Sequence, residues 1–163
     1  MISLAVFSLV LVGVSAQIVQ PGPCPPLTVQ QNFDLPASAT YTLSPNETVA
    51  VRNYLFNTLS QAPETILGYA TVDSDSGEAK LLVSFPSVDY VSPYWVLETD
   101  YTRYSVVWSC TEFGTENLQY AWVITRERFP DDVTLAEIER VIAANQLADE
   151  WEITPNDNCP EDP

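Results

Sequence analysis

Between residues 39 and 126 the chain alternates short apolar, β-branched and aromatic runs with clusters of turn-forming residues. The runs cover residues 39–43, 48–54, 65–72, 79–85, 94–101, 104–111 and 119–126. They are separated by Ser44-Pro45-Asn46, Asp73-Ser74-Asp75-Ser76-Gly77, Pro86-Ser87 with Ser92-Pro93, and Phe113-Gly114-Thr115. Proline and glycine fix or free backbone angles, and Asn, Asp and Ser bond their own backbone, so these breaks read as turns. The spacing predicts an antiparallel meander of seven strands, a sandwich or barrel, with no parallel α/β alternation. The clearest period-two pattern sets Leu81, Val83 and Phe85 against Lys80, Leu82 and Ser84, and the first set is expected to face the interior. From Tyr94 to Arg126 both faces are apolar and aromatic, so alternation does not choose the inside, and cover on both sides is expected.

One helix follows the strands. Thr134-Leu135-Ala136-Glu137 has the spacing of a capping box, and Leu135, Ile138, Val141 and Ile142 recur at helical spacing as one apolar stripe. A helix over residues 134–145 is predicted to pack on the outside of the strands. Residues 151–154 read as a short final strand before Pro155, Asn156 and Asp157 break it. Upstream, Pro21-Gly22-Pro23-Cys24-Pro25-Pro26 cannot be helical and reads as an extended arm held by Cys24.

The apolar run around residues 2–14 ends in Val14-Ser15-Ala16, small residues of the kind a signal peptidase accepts. A spanning helix needs about 20 apolar residues, and Gln17, Gln20 and Pro21 arrive too soon for one. Residues 1–16 are therefore expected to be a secretory leader, and residues 17–163 a single domain, a length that allows one sizeable core. The Asn46-Glu47-Thr48 sequon agrees with the secretory route and makes Asn46 a candidate glycosylation site. Three cysteines, Cys24, Cys110 and Cys159, are an odd number for an oxidising compartment, so one lacks a partner within the chain.

The formal charge is −16, from 22 acidic and 6 basic residues. Such a surface repels phosphate backbones, which disfavours nucleic acid and anionic membranes as partners. With no histidine, the commonest general base and the usual zinc or haem ligand are absent. The carboxylate pairs Asp73 with Asp75, Asp131 with Asp132, and Asp149 with Glu150 fall in turns or exposed positions and read as solvated surface. No catalytic residue, metal site or cofactor is expected, and the chain is not read as an enzyme. The informative cluster is aromatic: Phe85, Tyr94, Trp95, Tyr101, Tyr104, Trp108, Tyr120 and Trp122. On composition alone these rings are core.

Tyr94-Trp95-Val96-Leu97-Glu98-Thr99-Asp100-Tyr101 followed by Tyr104-Ser105-Val106-Val107-Trp108-Ser109-Cys110 resembles the sixth and seventh strands of the apolipoprotein D-like lipocalins, and Tyr120-Ala121-Trp122-Val123-Ile124-Thr125-Arg126 resembles the eighth. Thr99, Asp100, Tyr101 and Arg126 match family signatures. Pro23-Cys24-Pro25, Val29-Gln30-Gln31-Asn32-Phe33-Asp34, Phe129-Pro130 and Asn158-Cys159-Pro160 match in order and spacing. The resemblance implies an all-β fold, an antiparallel up-and-down lipocalin (calycin) barrel with one C-terminal flanking helix. It also implies a cup lined by Tyr120, Trp122 and Ile124 together with Leu81, Val83, Phe85, Tyr94, Val96, Ser105 and Val107. The function so implied is extracellular binding and transport of a small hydrophobic ligand of lipid, retinoid, sterol or pigment class.

The chain also departs from the family pattern. After Phe33-Asp34 the family carries a Gly-x-Trp first strand and a cysteine on the second, whereas here residues 35–39 pass almost directly into Thr40-Tyr41-Thr42-Leu43. The barrel is thus expected to be incomplete at its first strand. In the family the lost cysteine bonds the counterpart of Cys159, so Cys24 is expected to pair with Cys110 and Cys159 to stay unpaired. A missing strand exposes sheet edges. The loss is compatible with a less stable carrier, with a homodimer through Cys159 or an edge, and with a truncated isoform or interaction protein that lacks a working pocket.

Overall fold

The computed structural model describes residues 5–6, 14–34, 48–57, 62–73, 77–147 and 152–153. The expected strand over residues 39–43, the sequon at Asn46 and Cys159 lie outside them. In chain order the strands are β1 (Ala5–Val6), β2 (Val14–Pro21), β3 (Val49–Asn57), β4 (Ala62–Val72), β5 (Lys80–Phe85), β6 (Tyr90–Thr99), β7 (Tyr104–Phe113), β8 (Glu116–Thr125) and β9 (Glu152–Ile153), with one helix, α1 (Asp132–Ala144), after β8. They form a single antiparallel sheet in the order β1-β3-β4-β5-β6-β7-β8-β2-β9. Consecutive strands from β3 to β8 are neighbours, so the expected meander is observed for six of its seven strands, and the short final strand is present as β9.

Tight turns set the meander. Gly114, at φ +63°, lets Phe113 and Glu116 close a two-residue hairpin between β7 and β8. At Gly68 on β4 an added Cβ would lie 2.4 Å from the Ser84 carbonyl oxygen and 2.6 Å from a Phe85 ring carbon. The bare backbone there is what admits the Phe85 ring.

Three local expectations are corrected. Ser92-Pro93 is not a turn: β6 begins at Tyr90 and runs through both residues. Pro93 lies in the stretch of β6 that pairs with β5 alone, so its missing N–H costs no ladder bond to β7. The helix starts at Asp132, capped by Asp131, whose carboxylate accepts from Thr134 N at 2.8 Å. Thr134 is therefore inside the first turn rather than at its cap. That phase keeps Ile138, Val141 and Ile142 of the expected stripe on the packed face but puts Thr134 there in place of Leu135, which is exposed.

Two apolar clusters lie on opposite faces of the sheet. The outer one joins α1, through Ile138, Val141 and Ile142, to Val106, Trp108, Ala121 and Val123, with the arm residues Cys24, Leu27 and Val29. Trp108 is only 1% exposed; its ring meets Trp95 at 5.3 Å and its Nε1 donates to Gln119 Oε1 at 3.1 Å. The buried Asn117 side chain donates to the carbonyls of Gly22 and Pro23, and Cys24 is bonded to Cys110 with Cα atoms 5.9 Å apart. The arm is thus stapled across β7 and β8 by a disulfide, which the family resemblance implied, and by the polar links of Asn117.

β2 spans residues on both sides of the expected leader boundary and pairs along its whole length with β8, from Val14↔Val123 to Pro21↔Glu116. The apolar run that reads as a leader thus continues into a strand beside β8.

Candidate functional site

β5 to β8 carry the ten residues expected on an inner wall, and strand register decides their direction. Residues directly opposite in an antiparallel pair project from the same face. Leu81 is opposite Tyr94, Val83 opposite Ser92, and Phe85 opposite Tyr90. Val96 is opposite Val107, and Ser105, Val107 and Ser109 are opposite Ile124, Trp122 and Tyr120. All ten therefore share one face, the one turned away from α1. Leu81, Val83, Phe85, Val96 and Val107 are buried in the inner cluster, with Tyr94, Trp122 and Ile124 half-buried against it. Ser105 and Tyr120 are half-buried as well.

A β-bulge at Leu97 makes the two faces of β6 compatible with this arrangement. The β6–β7 register slips between Val96 and Glu98, so Leu97 and Glu98 both belong to the helix side. Glu98 there accepts from Tyr104 Oη at 2.8 Å and from Arg140 of α1. Burial, followed by the bond to Glu98, pushes the Tyr104 phenol up to about 12.

Trp122 is the middle ring of a stack. Tyr94 lies 6.4 Å away at an interplanar angle of 18°, and Tyr120 lies 5.7 Å away at 6°. Tyr94 comes from β6 and the other two from β8, so the stack bridges β7. Burial raises the pKa of the Tyr120 phenol, keeping its hydroxyl neutral and able to donate.

Among the inner-face residues missed from sequence are Ser92 and Ser109, whose Oγ atoms are 2.9 Å apart and buried. The period-two position of Ser109 after Ser105 and Val107 was the available signal, obscured by the assignment of Ser92 to a turn. Val49, Val51, Ala70 and Ala79 extend the inner cluster onto β3, β4 and the approach to β5. A face of this composition supplies apolar burial, flat aromatic surface and hydroxyl hydrogen bonds.

The signature residues form a separate clamp at the β6–β7 turn. The Asp100 carboxylate accepts from the backbone N–H groups of Thr102, Arg103 and Tyr104 and from Arg103 Nε at 2.6 Å. Burial alone would raise its pKa, but these bonds outweigh burial and hold the carboxyl at about 2. Thr99 Oγ1 donates to the Tyr104 carbonyl and accepts from Tyr101 N, which fixes Tyr101 in the left-handed region at φ +64°. From there the Tyr101 ring stacks on Phe33, its hydroxyl accepts from Asp34 N, and its carbonyl accepts from the Arg126 guanidinium. Arg103 reaches Thr134 Oγ1 on α1. The clamp thus ties the arm, the end of β8 and the helix to one turn.

The arrangement has parallels among known proteins. A family model described as a lipocalin-like domain matches residues 25–146. Apolipoprotein D of Oryctolagus cuniculus is 31% identical over 166 aligned positions, covering 86% of each protein. That alignment is longer than the chain itself, so the relative carries residues with no counterpart here, in keeping with a missing block. The Lazarillo protein of Schistocerca americana is 33% identical over 113 positions, 68% of this chain and 52% of that protein. In fold, insecticyanin of the tobacco hornworm Manduca sexta superposes with a TM-score of 0.68 at 19% identity, covering 88% of this chain and 91% of that one. Lobster apocrustacyanin A1 gives a TM-score of 0.59 at 15% identity, covering 87% and 75%. A one-sheet meander with an apolar inner wall, a flanking helix and the Thr99-Asp100-Tyr101 turn tied to Arg126 agrees with each of these matches, and the chain belongs to the lipocalin family.

Proposed function

We propose that this chain is a secreted, single-domain carrier that binds a small hydrophobic ligand noncovalently on the inner wall and catalyses no reaction. The carrying observation is the separation of two apolar clusters: the outer one is consumed by α1 and the arm, whereas among the described residues no α-helix packs on the inner one. The family's members bind small hydrophobic ligands, and the inner-wall residues supply the burial that such binding needs, about 25 cal/mol per Å² of apolar surface. The hydroxyls of Ser105 and Tyr120 would orient a polar end. Two of three cysteines are joined in the disulfide on the outer side, and the sequence has no histidine, which supports a binding role over catalysis. Secretion would remove residues 1–16, leave the domain at 17–163, and expose Asn46 to glycosylation. No helix among the described residues is long and apolar enough to cross a membrane.

Titration of the secreted protein with retinol, followed by tryptophan fluorescence, tests the proposal. Saturable quenching at one ligand per chain is expected, and its absence at micromolar protein would refute a retinoid-sized pocket. Amino-terminal sequencing of the secreted product should begin at Gln17.

A second reading, association through sheet edges, is favoured by the two-residue length of β1 and β9, which leave most of β3 and β2 unpaired on their outer sides among the described residues. Sedimentation of the wild type and of Cys159→Ser separates an edge-paired homodimer from one linked by Cys159.

A further inference from the structure

We propose that the inner wall selects neutral ligands, bearing an alcohol, carbonyl or ester end, and rejects carboxylates of the same shape. This rests on the carrier reading above and adds the chemical class of the ligand. The sequence has six basic side chains and no histidine, and all six lie among the described residues, so each can be located. Arg52 follows the inwardly buried Val51 and is exposed on the outer side of β3, opposite the exposed Leu67. Lys80 lies over the outer ring of Trp95, 4.8 Å from its centroid, and pairs with Glu78. Arg103 is held by Asp100, and Arg140 on α1 by Glu98 and Glu137. Arg126 gives its guanidinium to the Tyr101 carbonyl in the clamp, and Arg128 lies in the link between β8 and α1.

None of the six stands opposite, or two positions along the strand from, Leu81, Val96, Val107 or Trp122; Arg126, two residues beyond Ile124, lies at the end of the wall, where its guanidinium donates to the Tyr101 carbonyl. A carboxylate bound there would be stripped of water without a cation to replace it, which disfavours the charged form strongly. Among the described side chains of β5 to β8, hydroxyls are the polar groups this wall offers, and a hydroxyl both donates to a carbonyl and accepts from an alcohol. The exterior acts in the same direction. A net charge of −16, with Asp89 and Glu116 at the end of the sheet where Tyr90 and Tyr120 lie, lowers the local concentration of anions.

The test compares retinol, methyl retinoate and retinoic acid by tryptophan quenching of the full secreted chain at neutral pH, with hexadecanol, methyl palmitate and palmitic acid as competitors in a second series. Retinol and methyl retinoate should bind within about threefold of each other, and retinoic acid at least tenfold more weakly. Since ester and acid share one shape, that gap reports charge. Equal or tighter binding of the acid overturns the proposal, and failure of both series overturns the carrier reading itself. Ser105→Lys places a cation on the inner wall opposite Ile124 and should raise retinoic acid affinity at least tenfold. Tyr120→Lys, nearer the exposed end, serves the same purpose if Ser105→Lys does not fold. A folded lysine variant with unchanged acid affinity also refutes the assignment.

Discussion

Trp122 stands directly across the β7–β8 ladder from Val107, on the face opposite to that of Trp108, one residue further along β7. Two tryptophans in neighbouring positions thus serve different environments. Trp108 is closed in under α1, whereas Trp122 is half-buried among the inner rings. Trp122→Ala should remain folded by circular dichroism and lose most ligand-induced quenching. Trp108→Ala should cost about 3–5 kcal/mol in urea unfolding, the range for a large side chain removed from a packed core, and it also leaves Gln119 Oε1 without its donor. The opposite ranking of stabilities would make Trp122 core and overturn the inner-wall assignment.

Gly68 gives a packing test away from any ligand. A methyl group at this position must push into the Ser84 carbonyl and the Phe85 ring. Gly68→Ala is expected to destabilise by about 1–3 kcal/mol through overpacking, read as a lower urea midpoint with an unchanged slope. A neutral or stabilising result would show that β4 and β5 separate easily.

Asp100 makes stability depend on acid. Its carboxyl lies at about 2 in the folded chain against an ordinary 3.8. A depressed value means that the folded state favours the anion, so this contribution is complete above pH about 4 and is lost as pH falls from there towards 2. Allowing for solvent screening, about 1 kcal/mol is at stake. Asp100→Asn should lose that amount at pH 7 and show a shallower decline below pH 4. Identical acid profiles for the two proteins would contradict the clamp.

The Cys24–Cys110 bond closes a separation of 86 residues. Cys24→Ser with Cys110→Ser should lower stability by about 2–4 kcal/mol. Because Asn117 holds Gly22 and Pro23 independently, the arm of the double variant should still resist limited proteolysis more than that of a variant also carrying Asn117→Ala.

The sequence revealed most where the two faces of an element differ in chemistry. Leu81, Val83 and Phe85 alternate with Lys80, Leu82 and Ser84, and burial follows that alternation residue by residue. On β6 to β8 both faces are apolar, and only register separates Trp95 and Trp108 from Tyr94 and Trp122. The family resemblance supplied that division, which composition could not. Misplaced boundaries have local causes: Pro93 imitates a turn although it costs β6 no bond to β7, and Thr134 with Glu137 imitates a cap that Asp131 provides. Ser92 and Ser109 escaped notice because a buried hydroxyl pair has no signal until the strands are brought together. The bulge at Leu97 was hidden for a similar reason, since it appears only against its partner strand.

The course of β2 bears on the order of events during biogenesis. A peptidase acts on an extended segment whose backbone is free, yet Val14, Ser15 and Ala16 are engaged with Val123, Trp122 and Ala121, and both β9 contacts are made by Val14 and Ser15. If the proposed cleavage after Ala16 takes place, it has to precede completion of the sheet, because the scissile bond is sequestered afterwards. A chain trimmed in time keeps only the Gln17–Pro21 portion of the pairing, and its carboxy-terminal strand loses the two residues it docks on. Under the proposed secretion, maturation and folding would compete for the same three residues, and the quality of the finished edge would be set by which of them arrives first.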